Sequence, residues 1–347
     1  MANRSLIQAL PKAELHLHLE GTIEPETLVE LSRQHDAVPL TLEQGQKLYE
    51  YPDFHGFMMA FKAVTQRLLT AADFELIAYR MMERLHSQNV LHAEVYISVG
   101  VVHWRQHEFE PLFEGIERGR ERGAQDFGVS VFWIFDAVRH FGTEPARKVV
   151  ELATRYKDRH VVGVGIGGDE RRGPAEPFRA LYADAARSGL RRTAHAGETT
   201  GPESMWDALN IGAERLGHGL AAIQDNDLMQ VLAERQIPIE VCLTSNVRTG
   251  CLRDIQQHPV RRMFEEGLLV TINSDDPAMF HTSLTREYEI AQDVFGFTDE
   301  HLRELARNSF EASFLPAERK SELLQYFDSE IERLEHLSLR SPTKFLR

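Results

Sequence analysis

Apolar residues in this chain recur as short runs separated by longer amphipathic stretches. Eight runs read as buried strands: Ala13–Leu19, Leu91–Val99, Val129–Ala137, Val161–Gly168, Arg191–Glu198, Arg215–Gly219, Ile237–Asn246 and Leu268–Asp276. Between most of them, apolar positions fall at helical spacing, as in Pro145–Tyr156, Pro177–Ser188, Ser204–Ile211, Asp225–Arg235 and Pro259–Glu266, with Gly or Pro near several ends. Strands that alternate with helices predict a parallel sheet. Eight such units predict an α/β fold of the (β/α)8 TIM barrel type.

The first crossover is too long for one helix. Helical patterns at Glu24–His35, Phe54–Leu69 and Asp73–Ser87 predict a helical insertion after strand 1, approximately 24–88, lying over the top of the barrel. Within it Phe54, Phe57, Met58, Phe61 and Leu68 recur at roughly helical spacing. Core packing is the plainer reading of these five, and lining a substrate mouth is the alternative. After the last strand, Leu302–Glu335 predicts additional C-terminal helices followed by a polar tail. With no internal repeat or low-complexity linker, residues 1–347 are expected to form a single domain.

Composition narrows the function. A formal net charge of −14 without a long basic run argues against nucleic acid and for a small-molecule partner. Cys242 and Cys251 are the only cysteines, which excludes a disulfide framework and a cysteine-rich structural zinc site. The opening MANRSLIQALPKAEL lacks the sustained apolar stretch of a signal peptide, and no run of eighteen apolar residues suggests a membrane span. A cytoplasmic location is the expectation.

The chemistry gathers at predicted strand ends. In Glu14-Leu15-His16-Leu17-His18-Leu19, alternation places Glu14, His16 and His18 on one face and the leucines on the other. Leucines facing the helices turn the histidines into the barrel, where unpartnered imidazoles are costly. An H-x-H on a strand is by itself a weak sign of metal. His195 ends another strand, and Glu198 follows three residues later, either as a proton shuttle or as a helix-capping acid. His218 lies between glycines in Arg215-Leu216-Gly217-His218-Gly219 and, taken alone, reads as a core histidine. Asp275 and Asp276 are adjacent acids whose repulsion a cation or a shared proton would relieve. His16, His18, His195 and Asp275 together make a credible zinc-ligand set, because all end strands on the side where barrel enzymes place their chemistry.

The ordered segments PKAELHLHLEG (Pro11–Gly21), GGDE (Gly167–Glu170), HAGE (His195–Glu198), RLGHG (Arg215–Gly219), VCLTSN (Val241–Asn246) and NSDDPAMF (Asn273–Phe280) resemble the adenosine deaminase branch of the amidohydrolase superfamily. The resemblance implies zinc-dependent hydrolytic deamination of a 6-aminopurine nucleoside: adenosine, 2′-deoxyadenosine or a 5′-modified adenosine. It implies one zinc per chain held by His16, His18, His195 and Asp275, since Val161–Gly168 has no lysine to bridge a second metal. It casts Glu198 as proton donor, and His218, with help from Asp275, as the group that orients the reactive water or takes its proton. Gly168 would offer its N–H to the purine, and Asp276 would bond the imidazole side of the base.

Two departures bear on the substrate. Glu20 stands where adenosine deaminases usually carry Asp, beside the sugar's 5′ end, and Glu there also occurs in adenine deaminases. The glycine before His218 resembles the nucleoside enzymes instead. The run Val95–Val102, read as strand, lacks the Arg and Pro many members carry, so neutral drift or a pocket for a 5′-modified nucleoside is expected there. The alternatives are an adenine deaminase acting on the free base, a zinc hydrolase of another amide or ester class, and a binding protein that has lost its chemistry. An H-x-E occurs at His92-Ala93-Glu94, but no P-C-x-x-C accompanies it, which removes the other zinc deaminase class.

Overall fold

The structure, a computed structural model, describes residues 4–340. Eight strands, β1 (Lys12–His18), β2 (Val90–Ile97), β3 (Ser130–Val138), β4 (Val161–Gly167), β5 (Arg191–Ala196), β6 (Arg215–His218), β7 (Ile239–Val241) and β8 (Val270–Ile272), form one sheet in chain order. Every neighbouring pair is parallel and helices surround the sheet, giving the expected (β/α)8 barrel. The seam between β1 and β8 is closed mainly past the end of β8. Asn273 Oδ1 accepts from Leu15 N (2.8 Å) and His16 N (3.1 Å). Asp275 N donates to His16 O (3.0 Å), and His18 N donates to Asp275 O (2.9 Å). This stitching sets the histidines of β1 directly against Asp275.

Alternation along β1 is as the pattern predicts, with Leu15 and Leu17 buried on one face and Glu14 and His16 buried on the other. A polar barrel interior is stable only if its charges are paired. Arg215 of β6 supplies the pairing: Nη1 lies 2.5 Å from Glu94 Oε2, and Nε lies 2.6 Å from Glu240 Oε1. Its guanidinium also sits over the Phe314 ring at 3.7 Å, while Phe314 N donates to Glu94. Burial alone would raise Glu94, but Arg215 pulls its carboxyl down to about 2.

The first crossover contains helices Pro25–His35, Leu42–Lys47, Phe54–Thr65 and Ala71–Ser87. Asp53 starts the third by accepting from Gly56 N (2.8 Å), and Thr70 with Asp73 forms a capping box on the fourth. Helices Asp299–Glu311 and Ala317–Arg340 follow the barrel, and the expected polar tail falls partly on 341–347, outside the described residues. Among the described residues no helix is long and apolar enough to cross a membrane.

Among the strands that end before their apolar patterns do, three bear on the site. β2 ends at Ile97 and Val99–Trp104 is helical, so Val95–Val102 is not one strand. β7 ends at Val241, and Leu243–Arg248 is a helix that carries Ser245 and Asn246 over the barrel mouth. β8 stops at Ile272, short of Asp276. A short apolar run marks burial, and buried helical turns share that mark with buried strands.

Candidate active site

His16 and His18 come from β1 and His195 from β5, while Asp275 lies three residues beyond β8. Their ligand atoms converge. His18 Nε2 is 3.3 Å from both His195 Nε2 and Asp275 Oδ1, and His16 Nε2 is 3.5 Å from the same oxygen. Atoms bound to one zinc at about 2.0–2.2 Å stand roughly 3–3.6 Å apart, so these separations suit a shared ion. His218 and Asp275 both take φ of 64°, a left-handed conformation uncommon outside glycine that recurs at functional sites.

The outward partners fix which nitrogens face inward. His16 Nδ1 meets Glu240 Oε2 at 2.7 Å, and His195 Nδ1 meets Ile166 O at 3.2 Å; both acceptors require the proton on Nδ1. The Nε2 atoms therefore point at one another, and His16 Nε2 is buried without a hydrogen-bond partner. Burial holds His18 and His218 at about 4 and His195 well below its usual value, so these rings are neutral, as ligands must be. Burial would lower His16 too, but Asp275 and Glu240 outweigh it and raise the ring to about 10. Converging ring nitrogens beside the buried Asp275 carboxylate make this a place for a cation, and the donor set fits zinc.

Glu198 follows β5 with its side chain 7% exposed. Burial, then Asp275 and Glu170, push its carboxyl up to about 8. Its backbone is held by Glu170, whose Oε1 accepts from Gly197 N (2.8 Å) and whose Oε2 accepts from Glu198 N (3.0 Å) and Thr199 N (2.6 Å). Glu198 Oε2 lies 3.7 Å from His218 Nε2, and Cys251 Sγ lies 3.8 Å from Glu198 Oε1.

A relay of unambiguous direction reaches His218. Val260 N donates to His258 Nδ1 (3.1 Å), which leaves His258 Nε2–H to donate to Asn246 Oδ1 (3.2 Å). Asn246 Nδ2 then donates to His218 Nδ1 (3.1 Å). A neutral His218 consequently carries its proton on Nε2, facing Glu198.

Above this floor lies a cavity of about 660 Å³ including its mouth. His18, His195, Glu198, His218, Asp275 and Asp276 line its base, and Gly167, Gly168, Asp136 and Ser98 form one side. Phe54, Phe57, Met58 and Phe61 of the insertion line it from above, so these four do more than pack a core. Leu68 is the exception and borders a smaller adjoining cavity. Gly168 has φ of 89°, and a Cβ there would approach His140 Nδ1 to 3.0 Å, so backbone rather than side chain faces the cavity. Asp276 is buried with Oδ1 unpartnered; burial and then Asp275 raise it well above the carboxylate range, so it holds a proton. Glu20 does not border the main cavity. It sits behind Ser98, where Oε1 accepts from Ser98 N (3.0 Å) and Oε2 is unpartnered in the smaller cavity.

The sequence model of the family described as adenosine deaminase matches residues 11–330. The chain belongs to the adenosine deaminase family. It is 39% identical over 330 residues to the aminodeoxyfutalosine deaminase of Streptomyces avermitilis, covering 94% of this chain and 92% of that one. It is 33% identical over 326 residues to the adenine deaminase of Wolinella succinogenes, covering 93% and 98%. Among solved structures, adenine deaminase from Arthrobacter aurescens superposes with a TM-score of 0.87 at 32% identity, covering 93% and 99%. An amidohydrolase from Burkholderia ambifaria with bound Zn gives 0.90 at 27% identity, covering 98% and 96%. This deaminase is thus a hydrolytic enzyme of a metal-dependent family.

Several residues that shape the site escaped the motif reading. Glu240, Asp136 and His258 lie outside the family-like segments, and Asn246 and Glu170 lie within them with no role that the segment itself indicates. Glu240 and Asp136 did leave a signal, because each is a lone acid inside an apolar strand, in Ile239-Glu240-Val241 and Phe135-Asp136-Ala137.

Proposed function

We propose that this deaminase removes the 6-amino group of a purine nucleoside, and that it favours one bearing an apolar substituent at the 5′ position. The observation that carries the reading is the cavity's two-part wall: titratable groups at its base sized for the reacting edge of a base, and four apolar side chains of the insertion above. A ribose with a free 5′-hydroxyl has little to offer those side chains, whereas an apolar 5′ group buries against them. Similarity to aminodeoxyfutalosine deaminases supports a nucleoside. Similarity to adenine deaminases, with Glu20 withdrawn behind Ser98, keeps the free base as the second reading.

His16, His18, His195 and Asp275 would hold one zinc, which supplies an activated water and stabilises charge developing on its oxygen. Glu198, protonated because it is buried, donates to N1 and draws electron density from C6 as the water oxygen adds there. His218 orients the water through its Nε2–H; with that nitrogen already protonated, it does not act as base. Ser245 Oγ donates to Asp275 Oδ2 (2.6 Å), which holds the other carboxyl oxygen toward the ligand cluster. Gly168 N–H meets N3, and the proton on Asp276 meets N7. Glu198, left as a carboxylate by that donation, takes one proton from the water and passes it to the departing amine, then takes the second as the C6–O bond becomes a carbonyl; it ends protonated, ammonia leaves and C6 keeps the oxygen.

The test is loss of the 6-amino absorbance with the zinc-loaded enzyme and separate samples of adenine, adenosine, 2′-deoxyadenosine and 5′-alkylthioadenosines. The expected order of kcat/KM is 5′-substituted, then adenosine and 2′-deoxyadenosine, then adenine. Adenine as best substrate would overturn the reading.

A further inference from the structure

We propose that Asp136 is a substrate-binding residue that accepts hydrogen bonds from the ribose hydroxyls, a role that rests on the nucleoside reading above. Asp136 sits inside β3 with 6% of its surface exposed, yet it borders the main cavity. Its Oδ1 is buried without a hydrogen-bond partner. A buried carboxylate lacking donors is strongly disfavoured unless something else supplies them.

The neighbouring strand makes room for this carboxyl. Asp136 pairs with Gly165 of β4, and a Cβ at Gly165 would lie 2.8 Å from Asp136 Oδ1. A Cβ at Gly167, two residues on and on the same face, would lie 2.9 Å from Oδ2. Two glycines therefore leave open the space that β4 side chains would take, and the Asp136 carboxyl occupies it, with the His195 ring also close to Gly167.

The order of strands around the barrel mouth says what part of the substrate lies there. Glu198 after β5 is placed at N1, and Gly168 after β4 at N3. Continuing round the purine, the next ring nitrogen is N9, which carries the sugar; the next strand is β3, which carries Asp136. Asp276, after β8, returns at N7. Among groups on a nucleoside, the 2′- and 3′-hydroxyls are paired donors on this side, and a carboxylate that borders the cavity with Oδ1 unpartnered is their natural acceptor.

The test compares adenosine with 2′,3′-dideoxyadenosine in wild type, Asp136→Asn and Asp136→Ala, each checked for zinc content and thermal midpoint. Wild type is expected to prefer adenosine, and the ratio of the two kcat/KM values should fall ~10- to 100-fold in Asp136→Ala and less in Asp136→Asn, which keeps one acceptor. An unchanged ratio, including an equal loss on both substrates, would mark a structural role and overturn the proposal. Wild-type enzyme that turns over adenine and neither nucleoside would overturn this proposal together with the nucleoside reading, a result distinguishable from failure at Asp136 alone.

Discussion

Glu240→Gln tests whether the buried charge chain serves the metal. Glu240 Oε2 accepts from His16 Nδ1 at 2.7 Å, and its other oxygen lies 2.6 Å from Arg215 Nε. The glutamine amide oxygen still accepts from Nδ1–H, so the tautomer of His16 survives while the negative charge behind the ring is lost. Groups that orient and polarise a ligating histidine are worth ~10- to 100-fold in metal affinity, about 1.4 to 2.8 kcal/mol. Glu240→Ala removes acceptor as well as charge and should fall at or beyond the upper end. Competition against a chromophoric chelator of known zinc affinity measures both variants, with thermal midpoints of the metal-free proteins confirming that they fold. A Glu240→Gln affinity within threefold of wild type would refute the idea that this carboxylate tunes His16.

Glu198→Gln should keep its zinc and its purine binding while losing ~10²- to 10⁴-fold in kcat, read by parallel metal analysis and steady-state rates; more than about a tenth of wild-type activity removes Glu198 as the acid. Because Glu198 must carry a proton and burial raises it to about 8, kcat/KM should decline tenfold per pH unit on an alkaline limb at or below that value, since a nearby cation can only lower it; a rate still rising at pH 9 contradicts this. Zinc binding near neutral pH should release about one proton, since His16 is raised to about 10 without the ion, and calorimetry in buffers of different ionisation enthalpy would show none if His16 is not a ligand. Arg215→Met strands Glu94 and Glu240 in the core and should cost ~3–5 kcal/mol in urea unfolding; because Glu94 is depressed in the folded protein, its wild-type contribution is present above its unfolded value near pH 4 and is lost as pH falls toward about 2.

Much of the fold was legible because its signals are local. Alternation in Glu14–Leu19 places histidines and leucines on opposite faces without reference to the rest of the chain, and eight apolar runs spaced by helical segments suffice for a barrel. The four proposed ligands were legible because imidazoles and adjacent acids at strand ends have few structural uses. Glu240, Asn246 and His258 were not, because their importance lies in whom they touch across many residues of sequence. Asn246 was hidden further by a run that looked like strand and folds as a helix. The mouth residues Phe54, Phe57, Met58 and Phe61 carry the same helical periodicity whether they face a core or a cavity, and only their place over β1–β8 separates the two.

The most direct test of the account is an internal competition: zinc-loaded enzyme acting on equal concentrations of adenine and a 5′-alkylthioadenosine in one vessel, with both 6-oxo products quantified by mass spectrometry at low conversion. The product ratio is the ratio of the two kcat/KM values, free of differences in enzyme loading. At least a tenfold excess of the nucleoside product is expected, reduced when Phe61 is replaced by alanine. An excess of hypoxanthine would contradict it and mark the site as one built for the free base.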